Sequence, residues 1–329
     1  MTIFRIATFN LENLGDPSGD GTALEHRIAA LRPQLLRLDA DILCLQEVNA
    51  QQEPGHGRSL RALDALLQET PYAGYERAVT TSASGGKPRD VQNLVILSRY
   101  PIAASREYLN DLVPGPDYRP VCAEPPAAAA APISWERPIL HATIVLADGA
   151  PLHVINLHLR APLPSFIPGQ KLEAFVWKSA GAWAEGTFIA EIKRTGQALE
   201  ARLLIDRLFD SDPRALVAVL GDFNADGREA PLRILRGDVD ETGNAALSNR
   251  VLTPLELSLP VDRRFSVLHY GHPLMLDHIM VSQAMLGRFR KAEIHNELLT
   301  DELLAFFARR RDAGSFHAPV VAEFLLGDS

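Results

Sequence analysis

The sequence predicts an α+β chain in which mixed or mostly antiparallel sheets carry helices on their outside. Three observations predict it. Short runs rich in Ile, Val and Leu, bounded by turn residues, recur along the 329 residues. Two of these runs, 139–146 and 152–157, are separated by a short turn at Asp148-Gly149, the pattern of a β-hairpin. Helical periodicity appears between some strands but does not alternate with them one for one, which argues against a doubly wound parallel fold.

Taken in order, strand-like runs fall at 3–10, 42–46, 91–97, 139–146, 152–157, 216–220, 278–282 and 320–325. Leu24, Ile28, Leu31 and Leu35 follow helical spacing, and Pro33 is expected to kink or split that helix. Leu60, Leu63, Leu66 and Leu67 form a second stripe. Leu199, Leu203 and Leu208 belong to a third, in the segment 189–209. Residues 111–135 and 162–186 are rich in loop-forming residues and read as surface excursions from one domain spanning 1–329. Trp135, Trp177 and Trp183 are expected to pack rather than to stack on bases.

The composition narrows the function classes. Hydrophobic residues make up 47% of the chain, enough for a substantial core. The 33 Lys and Arg against 41 Asp and Glu leave a net charge of −8, which disfavours a non-specific grip on long nucleic acid and tight docking on anionic lipid. Cys44 lies in an apolar run, Cys122 in a Pro-rich loop, and no CxxC is present. The start of the chain alternates like a strand, without a basic region followed by a long apolar stretch, and no run is long enough to span a bilayer. These features lead to the expectation of a cytoplasmic protein with no membrane span and no obligate protein partner.

Polar residues gather at the ends of apolar runs. The sharpest case is Leu220-Gly221-Asp222-Phe223-Asn224-Ala225, where a buried strand delivers a carboxylate and a carboxamide at i and i+2; in extended chain the two point the same way. An Asx-type turn is the structural alternative. Five further constellations behave alike: Asn10-Leu11-Glu12-Asn13, Gln46-Glu47-Val48, Asn156-Leu157-His158, Asp277-His278, and Ser315-Phe316-His317. Glu47, Glu12 and Asn10 offer hard oxygen ligands that suit Mg²⁺ or Mn²⁺ rather than a zinc cage. A hard cation, carboxamides and imidazoles are the parts needed to hydrolyse a phosphate ester. Each residue also has a structural alternative: Asn10 as a turn cap, His158 as a satisfied core histidine. Arg137 and Arg160 could grip phosphate oxygens or be solvated. His278 faces away from Asp277 by strand alternation and is read as structural. His26, His56, His141, His153, His269, His272 and His295 sit in no such motif.

The motifs Leu45-Gln46-Glu47-Val48, Gly221-Asp222-Phe223-Asn224-Ala225 and Leu276-Asp277-His278-Ile279, in this order, resemble those of the endonuclease/exonuclease/phosphatase superfamily, from Asn10 to His317. The resemblance implies a deoxyribonuclease I-like fold: a four-layer α/β/β/α sandwich of two mostly antiparallel sheets flanked by helices, with the site at one rim. It implies Glu47 as the metal-binding Glu, Asn10 as its support and Glu12 as a further acidic ligand. It assigns His158 to phosphate contact, Asp222 to orienting or deprotonating water, and Asn224 to phosphate or metal. Asp277 would hold His317 in place, and Asn93 would line the cleft.

One motif departs. The family's closing Ser-Asp-His reads Ser315-Phe316-His317 here, and the missing Asp is a metal ligand in many members. One metal of modest affinity is therefore expected, with Asp312 as the nearest substitute. The reading is a metal-dependent phosphoesterase, most of all a phosphodiesterase acting on nucleic acid, a nucleotide or a lipid or inositol headgroup. A degenerate binding protein and a phosphomonoesterase are the alternatives.

Overall fold

The central strands are buried on both faces, and their alternate side chains divide between an inner and an outer core. The computed structural model describes residues 2–15, 24–53, 55, 57–83, 85–307 and 313–327. His56 and Asp312 lie outside the described residues.

The principal strands are β1 (Ile3–Leu14), β2 (Ile42–Val48), β3 (Glu76–Val79), β4 (Asn93–Ser98), β5 (Ile102–Tyr108), β6 (Ile139–Val145) and β7 (Pro151–His158). There follow a small hairpin, β8 (Lys171–Glu173) and β9 (Val176–Trp177), then β10 (Leu216–Asp222), β11 (Thr253–Pro254), β12 (Asp277–Val281), β13 (Phe289–Ile294) and β14 (Val320–Leu325). They build two six-stranded sheets, ordered β13-β14-β1-β2-β4-β3 and β11-β12-β10-β7-β6-β5. Each sheet is antiparallel except for its central pair, β1 with β2 and β7 with β10. A parallel pair needs a long crossover. Helix α1 (Leu24–Leu38) makes the first and α3 (Ala180–Ser211) the second.

The layers follow from strand parity. Phe4, Ile6, Cys44 and Ile96 of one sheet meet Ala142, Val154, Leu220 and Ile279 of the other in the inter-sheet core. The alternate residues Ala7, Phe9, Leu43 and Leu45 face outward, onto α1 and α2 (Arg61–Leu67). Ile155, Leu157, Val217 and Val219 face outward onto α3 and α4 (Ala230–Arg236). The four-layer sandwich expected from the resemblance is the observed architecture.

Three local expectations differ. Pro33 does not split α1, which continues to Leu38 with Leu31, Leu35 and Leu38 buried; burial of that face outweighs one lost backbone bond. The buried face of α3 is not the leucine stripe. Ala198, Ala201, Ile205 and Phe209 are buried, while Leu199 and Leu203 are exposed and Leu208 packs at the edge. Small alanines let the helix lie close to the sheet, so the larger leucines are left outside. The second loop also ends early: Ser179 caps α3, accepting a bond from Ala182 N, and 180–186 are helical.

Toward one rim the inner faces turn polar in step. After Phe4 and Ile6 come Thr8 and Asn10; after Leu152 and Val154 come Asn156 and His158; after Ala218 and Leu220 comes Asp222. The first polar layer fastens the sheets together. Gln46 Nε2 donates to Asn156 Oδ1 at 2.7 Å and to Thr8 Oγ1 at 3.0 Å, and Asn156 Nδ2 donates to the carbonyls of Leu45 and Val95 at 3.1 and 3.0 Å. Asn156→Ala strands these buried partners. It is expected to cost roughly 2–4 kcal/mol in urea denaturation; a loss under about 1 kcal/mol would show that the layer does not fasten the sheets.

Candidate active site

One step above that layer, four elements converge. Asn10 of β1, Glu47 of β2, His158 of β7 and Asp222 of β10 all reach the space between the sheets. Asn10 Nδ2 donates to Glu47 Oε1 at 3.1 Å and to Asp222 Oδ2 at 3.0 Å, which joins residues 212 positions apart. His158 Nε2 lies 3.6 Å from Glu47 Oε1 and 3.4 Å from Asp222 Oδ2. Ligand atoms of Glu47, His158 and Asp222 lie within 4.8 Å of one another, as do those of Asp222, Asp277 and His317. Asp222 belongs to both groups.

Backbone irregularity makes this possible. Glu47 follows Gln46, which points inward, so regular alternation would aim it at the outer helices. Its φ of 58° and the register shift between Leu45 and Val48 turn it inward instead. Asn13 N then donates to Glu47 Oε2 at 3.0 Å, from a bulge at the end of β1 where Glu12 and Asn13 also have positive φ. At Gly221, φ is 140° and an added Cβ would stand 2.0 Å from the Leu157 carbonyl, so only glycine fits beneath Asp222. Asn224, with φ 46°, is no longer extended. It closes an Asx turn, its N donating to Asp222 Oδ1 at 2.8 Å. Its amide donates to Leu159 O at 3.1 Å and to Asp222 Oδ2 at 3.2 Å.

Electrostatics divide the groups. Burial pushes the Asp222 carboxyl up to about 7, with the Asp277 and Glu47 carboxylates adding to the rise. Burial also carries His158 well below the usual imidazole range, helped by Arg137 and His317. Its contacts with Glu47 and Asp222 are therefore those of a neutral ring, not an ion pair, and its Nδ1 is buried without a partner. His317 is the reverse. Burial alone would lower it, yet Asp277, Asp222 and Glu47 together hold it well above its ordinary value. Its Nδ1 meets Asp277 Oδ2 at 2.7 Å, while Nε2 stands 4.0 Å from Asp222 Oδ2.

The remaining expected residues have mixed placements. Glu12 does not join Glu47; its Oε2 accepts from Phe316 N at 2.8 Å, and burial pushes its carboxyl up to about 7. Asn10 presents its NH₂ rather than its oxygen to the carboxylates, because Oδ1 accepts from Glu12 N at 2.8 Å; it bridges them instead of standing as a ligand. Asn93 is fully buried and does not face the cleft. Its amide donates to the carbonyls of Val48 and Arg89, and its oxygen accepts from Thr80 and from Arg89 N. Arg137 stays near the carboxylates, held by Gln92 Oε1 at 2.9 Å and Leu159 O at 3.0 Å. Arg160 lies toward the loop, its Nη2 3.4 Å from Leu163 O. His278 turns away to Glu256 at 2.7 Å.

Several supporting residues escaped the sequence reading. Ser315 Oγ donates to Asn10 O and accepts from His317 N, tying the last motif to the first. Ser266 Oγ accepts from Asp277 N at 3.0 Å. From α3, Gln197 donates to the carbonyls of His158 and Arg137, and the buried Arg194 holds Asn224 O. Arg194 and Gln197, polar residues three apart on the buried face of α3, were the available signal.

The donor set fits a hard cation. Two carboxylates and a neutral imidazole converge, and the like-charge crowding that raises Asp222 is what a divalent ion relieves. Glu47 and Asp222 would hold Mg²⁺ or Mn²⁺.

The family model for the Endonuclease/Exonuclease/phosphatase family matches residues 7–299. Among solved structures, the chain is similar to mannosyl-6-phosphatase from Bacteroides thetaiotaomicron, at 15% identity and TM-score 0.58, over 98% of this chain and 100% of that one. It is also similar to D. rerio TDP2 complexed with a single-strand DNA product, at 14% identity and TM-score 0.55, over 99% and 100%. A truncated Caenorhabditis elegans TDP2 gives 14% and 0.56 over 98% of each chain. At these identities the likeness shows the fold. No curated protein matches the sequence.

The raised carboxyls fix a pH dependence. A carboxyl whose folded value lies above its unfolded one favours the protonated fold, so its stabilisation is complete below the unfolded value and is lost as pH rises through about 7. Metal-free protein should therefore lose melting temperature from about pH 5 to about pH 8, while the gain on adding Mg²⁺ grows over the same interval. Differential scanning fluorimetry reads both; an equal Mg²⁺ gain at the two ends would contradict the assignment of Asp222.

Proposed function

The chain belongs to the endonuclease/exonuclease/phosphatase family, and from that premise we propose that it is a divalent-metal-dependent phosphoesterase that cleaves phosphodiesters with an activated water. The observation that carries the reading is the double use of Asp222, shared between a metal-competent group with Glu47 and His158 and a proton-handling group with Asp277 and His317. Members of the family are hydrolytic phosphoesterases, and divalent metals serve them generally. A bound Mg²⁺ or Mn²⁺ would neutralise phosphate oxygens and stabilise the charge that builds up during attack.

The protein's own groups supply the rest. Asp222 would take up the proton of the attacking water, and Asn10 and Asn224 hold its oxygens in place for that task. His317 is kept cationic by Asp277, with Nε2 free to donate to a phosphate oxygen or to the leaving group. His158 stays neutral and is a donor through Nε2 once that tautomer is adopted. Arg137, near the same carboxylates, adds positive charge where the phosphate would lie. His317 and Arg137 face three carboxylates, Glu47, Asp222 and Asp277.

Phe316 supports a second reading, a family member that binds without turnover. Its side chain brings no ligand, and its backbone N–H occupies Glu12. Bis-p-nitrophenyl phosphate and p-nitrophenyl phosphate, assayed with Mg²⁺ and with Mn²⁺, separate the possibilities. Diester turnover is expected, falling by about a thousandfold in Asp222→Asn and in His317→Ala. Turnover of the monoester alone would move the substrate class, and no turnover with either metal would leave the binding role.

In Asp277→Asn the His317 imidazolium loses its main support, so its pKa falls toward neutrality. The alkaline limb of the pH–rate profile should then shift to lower pH. An unchanged limb would remove Asp277 from that role.

A further inference from the structure

Asp277 and His278 divide the two faces of β12. Asp277 points inward and meets His317 Nδ1 at 2.7 Å. His278, one residue on, points outward by strand alternation, away from the reacting groups. It is fully buried, with Nδ1 2.7 Å from Glu256 Oε1 and Nε2 2.9 Å from the carbonyl oxygen of Ala225. Glu256, also buried, lies in the single helical turn Leu255–Ser258 that follows β11.

Both neighbours of the ring are acceptors. A carboxylate and a carbonyl are satisfied together only by a ring that carries a proton on each nitrogen. Burial alone would lower the His278 imidazole, yet Glu256 and the Ala225 carbonyl hold it up at about 9. His278 is therefore an imidazolium at neutral pH, paired with Glu256.

Stability gives little reason for such a pair. Taking two charges out of water costs about as much as their attraction returns, and apolar residues of similar volume often serve as well. Glu256 Oε2 is buried without a partner, which adds to the cost. The reason lies in what the ring holds. Ala225 ends the turn that presents Asp222 and Asn224, and that turn is gripped at consecutive carbonyls. Buried Arg194 donates to Asn224 O and buried His278 to Ala225 O. Each cation has its own carboxylates, Glu191 and Glu229 at 3.1 Å for Arg194 and Glu256 for His278. Between them Phe223 N donates to Leu276 O at 2.8 Å, and the Phe223 ring packs edge-to-face with His278, centroids 5.2 Å apart. The turn needs outside support, because Asn224 at φ 46° is in the left-handed region. Ala225 is fully buried, so bulk water does not replace a lost donor.

We propose that His278, held by Glu256, is a positioning residue for the catalytic turn: it fixes 222–225 so that the Asp222 carboxylate keeps the place from which it would hold the metal and take the water's proton. The inference rests on the phosphoesterase reading and gives β12 two tasks, one on each face. His278 touches none of the reacting groups and acts only through Ala225 O.

The test compares two uncharged double variants of the full chain. Glu256→Leu with His278→Leu removes both charges and the donor to Ala225 O. Glu256→Gln with His278→Gln removes the charges but leaves an amide N–H that can reach that oxygen. Bis-p-nitrophenyl phosphate is hydrolysed at saturating Mn²⁺, Mn²⁺ affinity is read by calorimetric titration, and melting temperature is read alongside. The leucine pair is expected to lose about thirtyfold in kcat with KM within about twofold, and to bind Mn²⁺ about tenfold more weakly. The glutamine pair should recover to within about threefold of wild type on each measure. A merely structural role would move the melting temperature and leave kcat of the folded protein intact. Wild-type kcat and Mn²⁺ affinity in the leucine pair, or a glutamine pair that falls as far, overturns the proposal. Should the leucine pair not fold, Glu256→Gln with His278→Asn, polar but too short for Ala225 O, takes its place in the same comparison. The ¹⁵N spectrum of the wild type should also show a proton on both ring nitrogens of His278 at pH 7, and a single proton there sinks the pairing. Absence of diester turnover in the wild type is a failure of the phosphoesterase reading alone, and the positioning of Asp222 is then decided by the Mn²⁺ affinities.

Discussion

The burial of Asp222 is the constraint on which the site depends. A carboxylate taken out of water needs partners, and this one has a carboxamide from β1, a backbone N–H and carboxamide from its own turn, and an imidazolium at longer range. Each partner comes from a different part of the chain, so the two sheets must close in one register for the group to be tolerated. The polar layer of Thr8, Gln46 and Asn156 immediately below sets that register. Stability and chemistry therefore share one stretch of the inter-sheet space: apolar at its centre, hydrogen-bonded above, ionisable at the rim.

The rim also concentrates backbone strain. Glu12, Asn13, Glu47 and Asn224 all have positive φ, and Gly221 sits where no side chain could. Such conformations persist only where the surroundings over-determine them. Here they break the two-residue period of a strand at the point where consecutive residues must serve the same pocket. Regular strands would deliver one inward side chain in two; the bulges deliver Glu47 as well as Gln46.

The crossover helix α3 runs past the site. Its outer half returns along the sheet with alanines against the core, and its middle holds the site backbone through Arg194 and Gln197. Its first half carries a second small core. One helix thus spans both the backbone of the site and the second small core.

Much of this was legible in the sequence, for a physical reason. Apolar runs, hairpin turns and helical stripes are local properties, and they suffice for a mostly antiparallel sheet protein with outer helices; the two-sheet sandwich came from the motif resemblance. Polar residues ending apolar strands likewise mark a site, because an unpaired buried carboxylate is costly wherever it lies; Glu47, His158, Asp222, Asp277 and His317 were all visible this way. Packing and close approach decided the rest. Asn93 resembles a cleft residue until its four bonds are counted, Glu12 turns to Phe316 N rather than to Glu47, and Leu199 and Leu203 yield the inner face of α3 to alanines. Those outcomes depend on which atoms lie within a few ångströms across tens or hundreds of residues, and local pattern carries no information about that distance.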